Sequence, residues 1–122
     1  MAEIPRDDER EERIEMEIIV DCYGPEEQVM GWYNYLNDTL QFPFTAQCTE
    51  QRAISPLEPG DEVEVISMAD AEDCDHDMFV HIRWERRPLA VPLAQLVAAH
   101  ADEQTQQAIA DWRYWVQRGY EL

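Results

Sequence analysis

Residues 22–48, CYGPEEQVMGWYNYLNDTLQFPFTAQC, contain six aromatic side chains, Tyr23, Trp32, Tyr33, Tyr35, Phe42 and Phe44, and so must supply much of any core. The boundaries of a helix are written into this stretch. Pro25 suits a first helical turn, where its missing N–H is no loss, and Glu26 and Glu27 favour the positive end of the helix dipole. Pro43 forbids helix beyond Phe42, so one helix is expected over 25–40. Val29, Trp32, Tyr33, Leu36 and Leu40 recur at spacings of three and four and form its inward stripe, while Glu26, Gln28, Asn34 and Asp38 face out or sideways. Gly31 in mid-helix is unfavourable by roughly 1 kcal/mol relative to Ala, which implies that another backbone or a bulky ring crosses there.

Toward the N-terminus, Asp7 or Asp8 offers a cap, and Glu9 and Arg13 stand four apart in the order that supports a helix. Ile14, Ile18 and Cys22 make one stripe and Met16, Ile19, Val20 and Tyr23 a second, so a wide apolar face is expected on a helix running to about Asp21. MEIIV alone would also suit a strand. Gly24 and Pro25 then break the run, giving a hairpin-like pair of helices around one core.

After Phe44 the period changes from helical to alternating. Residues 45–48 and 52–54 read as short extended pieces, and Pro56, Pro59 and Gly60 set up a turn into DEVEVISM, where Val63 and Val65 alternate with Glu62 and Glu64. Met78, Val80, Ile82 and Trp84 share one face of a further strand, and residues 89–93 form another apolar run that Pro92 restricts to an edge or terminus. Asp102 is a good N-cap for a last helix with a stripe of Ala108, Ile109, Trp112, Trp115 and Val116, ending at Gly119. The expected fold is therefore α+β, with two or three helices packed around a small SH3-like antiparallel β-barrel or sheet. One domain spans 1–122: 1–44 mainly helical, 45–96 a β unit and 102–118 a C-terminal helix.

The charge is one-sided. Net charge is −18, from 27 acidic residues against nine arginines, with no lysine. Such a surface repels nucleic acids and anionic membranes and attracts cations or a basic protein partner. Composition alone does not separate a solvating, salt-adapted coat from metal binding. Three cysteines, Cys22, Cys48 and Cys74, at wide spacings and without a CxxC pair, read as reduced thiols of a cytoplasmic protein, and Cys74 with His76 lacks the second pair that a zinc site needs. The N-terminal residues carry charge where a signal peptide needs an apolar run, and no stretch has the length of a membrane span.

The chemistry must lie in the acid. ADAEDCDHDM, joining two expected strands, contains Asp70, Glu72, Asp73, Asp75 and Asp77, a concentration of like charge that calls for a counterion. Calcium takes about six to eight oxygens from flexible carboxylates and backbone carbonyls. As an EF-hand the loop fails: counted from Asp73, the glycine position holds Met78 and the final glutamate position holds Trp84. A solvated hairpin tip is the plain alternative. A second candidate is the end of the central helix, Asn37, Asp38 and Thr39. Helix C-termini leave carbonyls unpaired and carry partial negative charge, so Asp38 is electrostatically misplaced there unless a cation compensates it. Glu26, Glu27, Asp61, Glu62 and Glu64 are candidates for weaker surface patches.

The runs MGWYNYLNDTLQFPFTAQC, SPLEPGDEVEVISMA, DMFVHIRWERRPLAVPL and QAIADWRYWV together resemble the CcbP-like family of small acidic calcium-binding proteins, first known from cyanobacteria. The resemblance extends over most of the chain and implies an intracellular domain that binds Ca²⁺ through surface carboxylates without an EF-hand, as a buffer or sensor. It also implies that Asp38, which follows WYNYL, is a calcium ligand. Catalysis has little support: His76, His81 and His100 are scattered, and there is no nucleophile elbow, phosphate loop or HExxH. The competing reading is an acidic interaction module that binds a basic partner through an SH3-like sheet. Calcium binding by a cytoplasmic, non-enzymatic monomer is the expectation.

Overall fold

A computed structural model describes residues 5–20, 22, 24–74, 77–118 and 120. Helix α1, Asp8–Arg13, is capped by Asp7, whose carboxylate accepts the N–H of Arg10 at 3.0 Å. It runs directly into a π-helical turn, Ile14–Ile18, closed by Ile19 N–H to the Ile14 carbonyl at 3.0 Å. The wide apolar face expected here is corrected to a narrow one. Ile14 and Ile18 are buried and Ile19 partly so, whereas Met16 and Val20 are exposed, because the widened turn keeps one stripe inward and turns the other to solvent. Of the other residues assigned to this region, Asp21 and Tyr23 lie outside the described residues.

Helix α2 is Pro25–Thr39, with Pro25 at the first turn as its sequence requires. Trp32, Leu36 and Leu40 are buried, and Val29 and Tyr33 pack against them. A Cβ built on Gly31 would lie 2.8 Å from the Ile18 carbonyl oxygen and 3.2 Å from Cys22 Sγ. The backbone crossing that a mid-helix glycine implied is thus the π-helical turn.

Five strands follow: β1 Phe44–Cys48, β2 Glu62–Met68, β3 Phe79–Trp84, β4 Arg87–Pro92 and β5 Leu96–His100. All pair antiparallel in the order β4-β3-β2-β1-β5. Among the described residues no pairing joins β4 to β5, so of the expected barrel or sheet the chain forms an open five-stranded antiparallel sheet. Residues 52–54, expected to be extended, instead form a turn closed by Ser55 N–H to the Arg52 carbonyl at 3.0 Å and find no partner strand. At the β4 edge, Pro88 and Pro92 occupy positions of one parity, so neither can offer an N–H to an added strand.

A 3-10 turn, Leu93–Gln95, leads from β4 to β5, and helix α3, Glu103–Gln117, packs across that turn and β5. Trp112 and Trp115 of α3 meet Trp32 of α2 edge-on, with centroids 5.0 and 5.4 Å apart, a geometry favoured by aromatic quadrupoles. Gly119, expected to end this helix, lies outside the described residues. The architecture is α+β, with three helices and a five-stranded antiparallel sheet.

Candidate metal centre

Strands β2 and β3 are joined by the acidic segment 70–78, closed at its base by Ala69 N–H to the Phe79 carbonyl at 3.0 Å. Ala71–Asp73 forms a single 3-10 turn with Asp70 ahead of it. The loop is built on Cys74, which is fully buried and accepts the N–H of Phe79 on its sulfur at 3.3 Å. Burial pushes the Cys74 thiol above its ordinary value. The Phe79 N–H opposes this, and the carboxylates of Asp73, Asp77 and Asp70 add to it. Buried and bonded to the Phe79 N–H, the thiol anchors the loop. Its suggested zinc partner His76 lies outside the described residues.

Both ends of the loop are held. At the entrance, the Tyr33 hydroxyl donates to the Ala69 carbonyl at 2.7 Å. Its own proton is retained to higher pH, first by desolvation and then by the nearby Cys74 and Asp70. At the exit, Asp77 Oδ2 pairs with Arg52 Nη2 at 3.2 Å, while Asp77 Oδ1 accepts the N–H of Met78 at 2.8 Å. Between these anchors Asp70, Glu72 and Asp73 are exposed, and no side-chain hydrogen bond or ion pair engages them among the described residues. Asp75 lies outside the described residues.

The second candidate segment belongs to the helix that holds the loop. Asn37 and Asp38 are exposed and Thr39 is half-buried in the last turn of α2, which contains no basic residue. Tyr33 precedes Asn37 by one helical turn, about 6 Å along the axis. The contact of Tyr33 with Ala69 therefore sets the loop entrance one turn short of the helix end. Beyond that end, Gln41 N–H donates to Thr105 Oγ1 of α3 at 2.9 Å, and this fixes where α2 stops. The described residues contain no preassembled group of three or more His, Cys, Asp or Glu placed to hold a metal. The donors are all hard oxygens, which fits calcium in chemistry.

The weaker patches are partly committed elsewhere. Asp61 accepts the N–H of Glu58 at 2.9 Å within its turn, and Glu64 pairs with Arg83 at 2.6 Å across β2 and β3. Glu26, Glu27 and Glu62 are exposed. From the sequence, Tyr33 belonged only to the core stripe, Cys74 to an incomplete zinc pair with His76, and Arg52 to a short extended piece away from the loop. The signals available were an arginine 25 residues from the one carboxylate it meets, and a cysteine set among acids.

The described residues thus form an open antiparallel sheet whose acidic, oxygen-rich β2–β3 loop is tied to α2 one turn short of its C-terminal end, in a small acidic α+β protein. The particular family follows from comparison: a profile described as calcium binding, CcbP, matches residues 12–116, and the chain belongs to the CcbP calcium-binding family. The crystal structure of Anabaena CcbP is 42% identical, with full coverage of both chains and a TM-score of 0.86. A calcium-binding protein in the calcium-binding form is 41% identical, again with full coverage of both chains and a TM-score of 0.85. No curated protein matches the chain. Among the described residues no helix is long and apolar enough to cross a membrane.

Proposed function

We propose that this chain binds Ca²⁺ as an intracellular buffer or sensor, without turnover, through carboxylates and backbone carbonyls of the 70–78 loop and the end of α2. The observation that carries this reading is the pinned loop: Asp70, Glu72 and Asp73 are exposed and uncompensated between two anchored ends, with the loop entrance tied to α2 one turn before Asn37 and Asp38. Packing rigid anchors around flexible carboxylates suits an ion that takes about six to eight oxygens and tolerates irregular geometry. Asp38 and the carbonyls near Asn37 and Thr39 place further negative potential at the helix terminus. Asp75 belongs to the candidate set by sequence position alone. The family's calcium binding supports the choice of ion. The whole of 1–122 acts as one unit, and as a monomer, in this reading.

Isothermal titration of metal-stripped protein at fixed ionic strength tests the assignment. Wild type is expected to bind Ca²⁺ saturably, and both Asp38→Asn and the loop variant Asp70→Asn/Glu72→Gln/Asp73→Asn are expected to bind it more weakly. Undiminished binding in both variants would move the site elsewhere.

A second reading, docking of a basic partner, has one observation in its favour. A cleft of about 270 Å³ between the N-terminal helical segment and α3 is walled by Ile19, Trp115 and Tyr120 and carries Glu15 beside a Glu11 already held by the Tyr114 and Tyr120 hydroxyls and Arg118, so Glu15 and the aromatic wall are what it offers a cationic side chain. That role would be lost on changing the cleft and kept on changing Asp38.

A further inference from the structure

The Arg52–Asp77 pair links the 49–60 segment to the exit of the acidic loop across 25 residues of sequence. Both side chains are partly buried, 31% and 21% exposed, so the contact is not one of the loosely hydrated pairs found on the open surface. Other arginines of this acidic chain are engaged elsewhere: Arg10 and Arg13 with Asp111, Arg83 with Glu64, and Arg6 with Asp8. Among the described residues, the acidic loop is paired with this one cation. It holds the carboxylate that closes the loop.

A guanidinium and a calcium ion compete for the same kind of oxygen. Arginine donates directional N–H bonds, whereas calcium must gather oxygens around itself at about 2.3–2.6 Å, and a dication drawn to Asp77 Oδ2 would repel the guanidinium already there. We infer that Arg52 is an affinity-setting residue of the calcium site, an internal counter-ion that occupies Asp77 in the metal-free protein and is displaced from it when calcium binds. The inference rests on the calcium reading above and adds a structural consequence. The 49–60 segment is anchored by Thr49 N–H to the Gln95 carbonyl, by Gly60 N–H to the Cys48 carbonyl and by fully buried Leu57. Loss of the ion pair therefore frees only the turn at Arg52–Ser55 from the loop and leaves the rest of the segment in place.

The test is calorimetric titration of metal-stripped protein with CaCl₂ at constant ionic strength, using wild type, Arg52→Gln, Asp77→Asn, the double variant and Arg86→Gln. Arg52→Gln is expected to bind calcium about two- to fivefold more tightly, the factor by which a partly exposed ion pair of ordinary strength would hold binding back. That gain should vanish in the Asp77→Asn background. Arg86 stands at the far end of β3, about 20 Å of strand away and beyond the screening length in physiological salt, so its loss should leave affinity unchanged. In wild-type protein the Arg52 Nε–Hε resonance should shift in step with calcium saturation. Unchanged or weaker binding in Arg52→Gln would overturn the inference, as would an equal gain with Asp77 removed or a resonance that ignores calcium. If wild type gives no calcium isotherm at all, the calcium reading itself fails, a result distinct from any of these.

Discussion

Arg13 and Asp111, 98 residues apart, are joined by two hydrogen bonds, Nη2 to Oδ1 at 2.5 Å and Nε to Oδ2 at 3.3 Å, and Arg10 adds a third to the same carboxylate at 2.6 Å. Asp111 is fully buried, while both arginines are about a quarter exposed. This cluster fastens α1 to α3. Removing the carboxylate leaves two guanidinium groups facing a desolvated space. Asp111→Ala should therefore lower stability by about 2–4 kcal/mol, somewhat below the loss for a wholly buried pair because the arginines can rehydrate. Urea denaturation measures this.

Gly31→Ala reverses the usual rule. In an open helix the change would be stabilising by about 1 kcal/mol, but here the new methyl would stand 2.8 Å from the Ile18 carbonyl oxygen. Since that obstacle is backbone, the π-helical turn must move. A net loss of about 1–3 kcal/mol is expected in the same denaturation experiment.

Alkaline pH should destabilise the fold. Burial raises Cys74 above 9.0, and desolvation raises Tyr33, Tyr35 and Tyr114 above 10.0. The folded state therefore holds these protons more tightly than the unfolded one, and unfolding releases them. Stability is then full below about pH 9 and falls as pH rises through the raised values. Melting midpoints measured between pH 7 and pH 11 should decline, and Cys74→Ala should flatten the first part of that decline.

Much of this fold was legible because local signals agreed. Pro25, the acidic first turn and the Trp32–Leu36–Leu40 stripe all specify α2, and Gly31 announced a close backbone approach. The strand β5 was not individually legible, since LVAAH has little β propensity and is defined by its register against β1. The exposed positions of Met16 and Val20 depend on a π-helical turn that no periodicity reveals. At the candidate site, the acidic loop and Asp38 stood out as unbalanced charge. The residues that organise them did not, because Tyr33, Cys74 and Arg52 act through contacts 36, 5 and 25 residues away.

Tyr33→Phe separates positioning from ligation. It removes the hydroxyl bond to the Ala69 carbonyl while keeping the ring, so a loss of about 0.5–1.5 kcal/mol in stability is expected. Amide exchange should quicken at residues 70–74, and calcium affinity should fall although no carboxylate has changed.

The most direct measurement is a thermal melt of metal-stripped protein at constant ionic strength, with Ca²⁺ titrated against matched Mg²⁺ and Asp38→Asn alongside. An ion that binds only the native state should add about 2.7 kcal/mol at a hundredfold over its Kd. A saturable rise in midpoint with Ca²⁺, absent with Mg²⁺ and diminished in Asp38→Asn, is the result this account predicts. Equal stabilisation by Ca²⁺, Mg²⁺ and added NaCl would contradict it and make the acidic surface a salt-adapted coat.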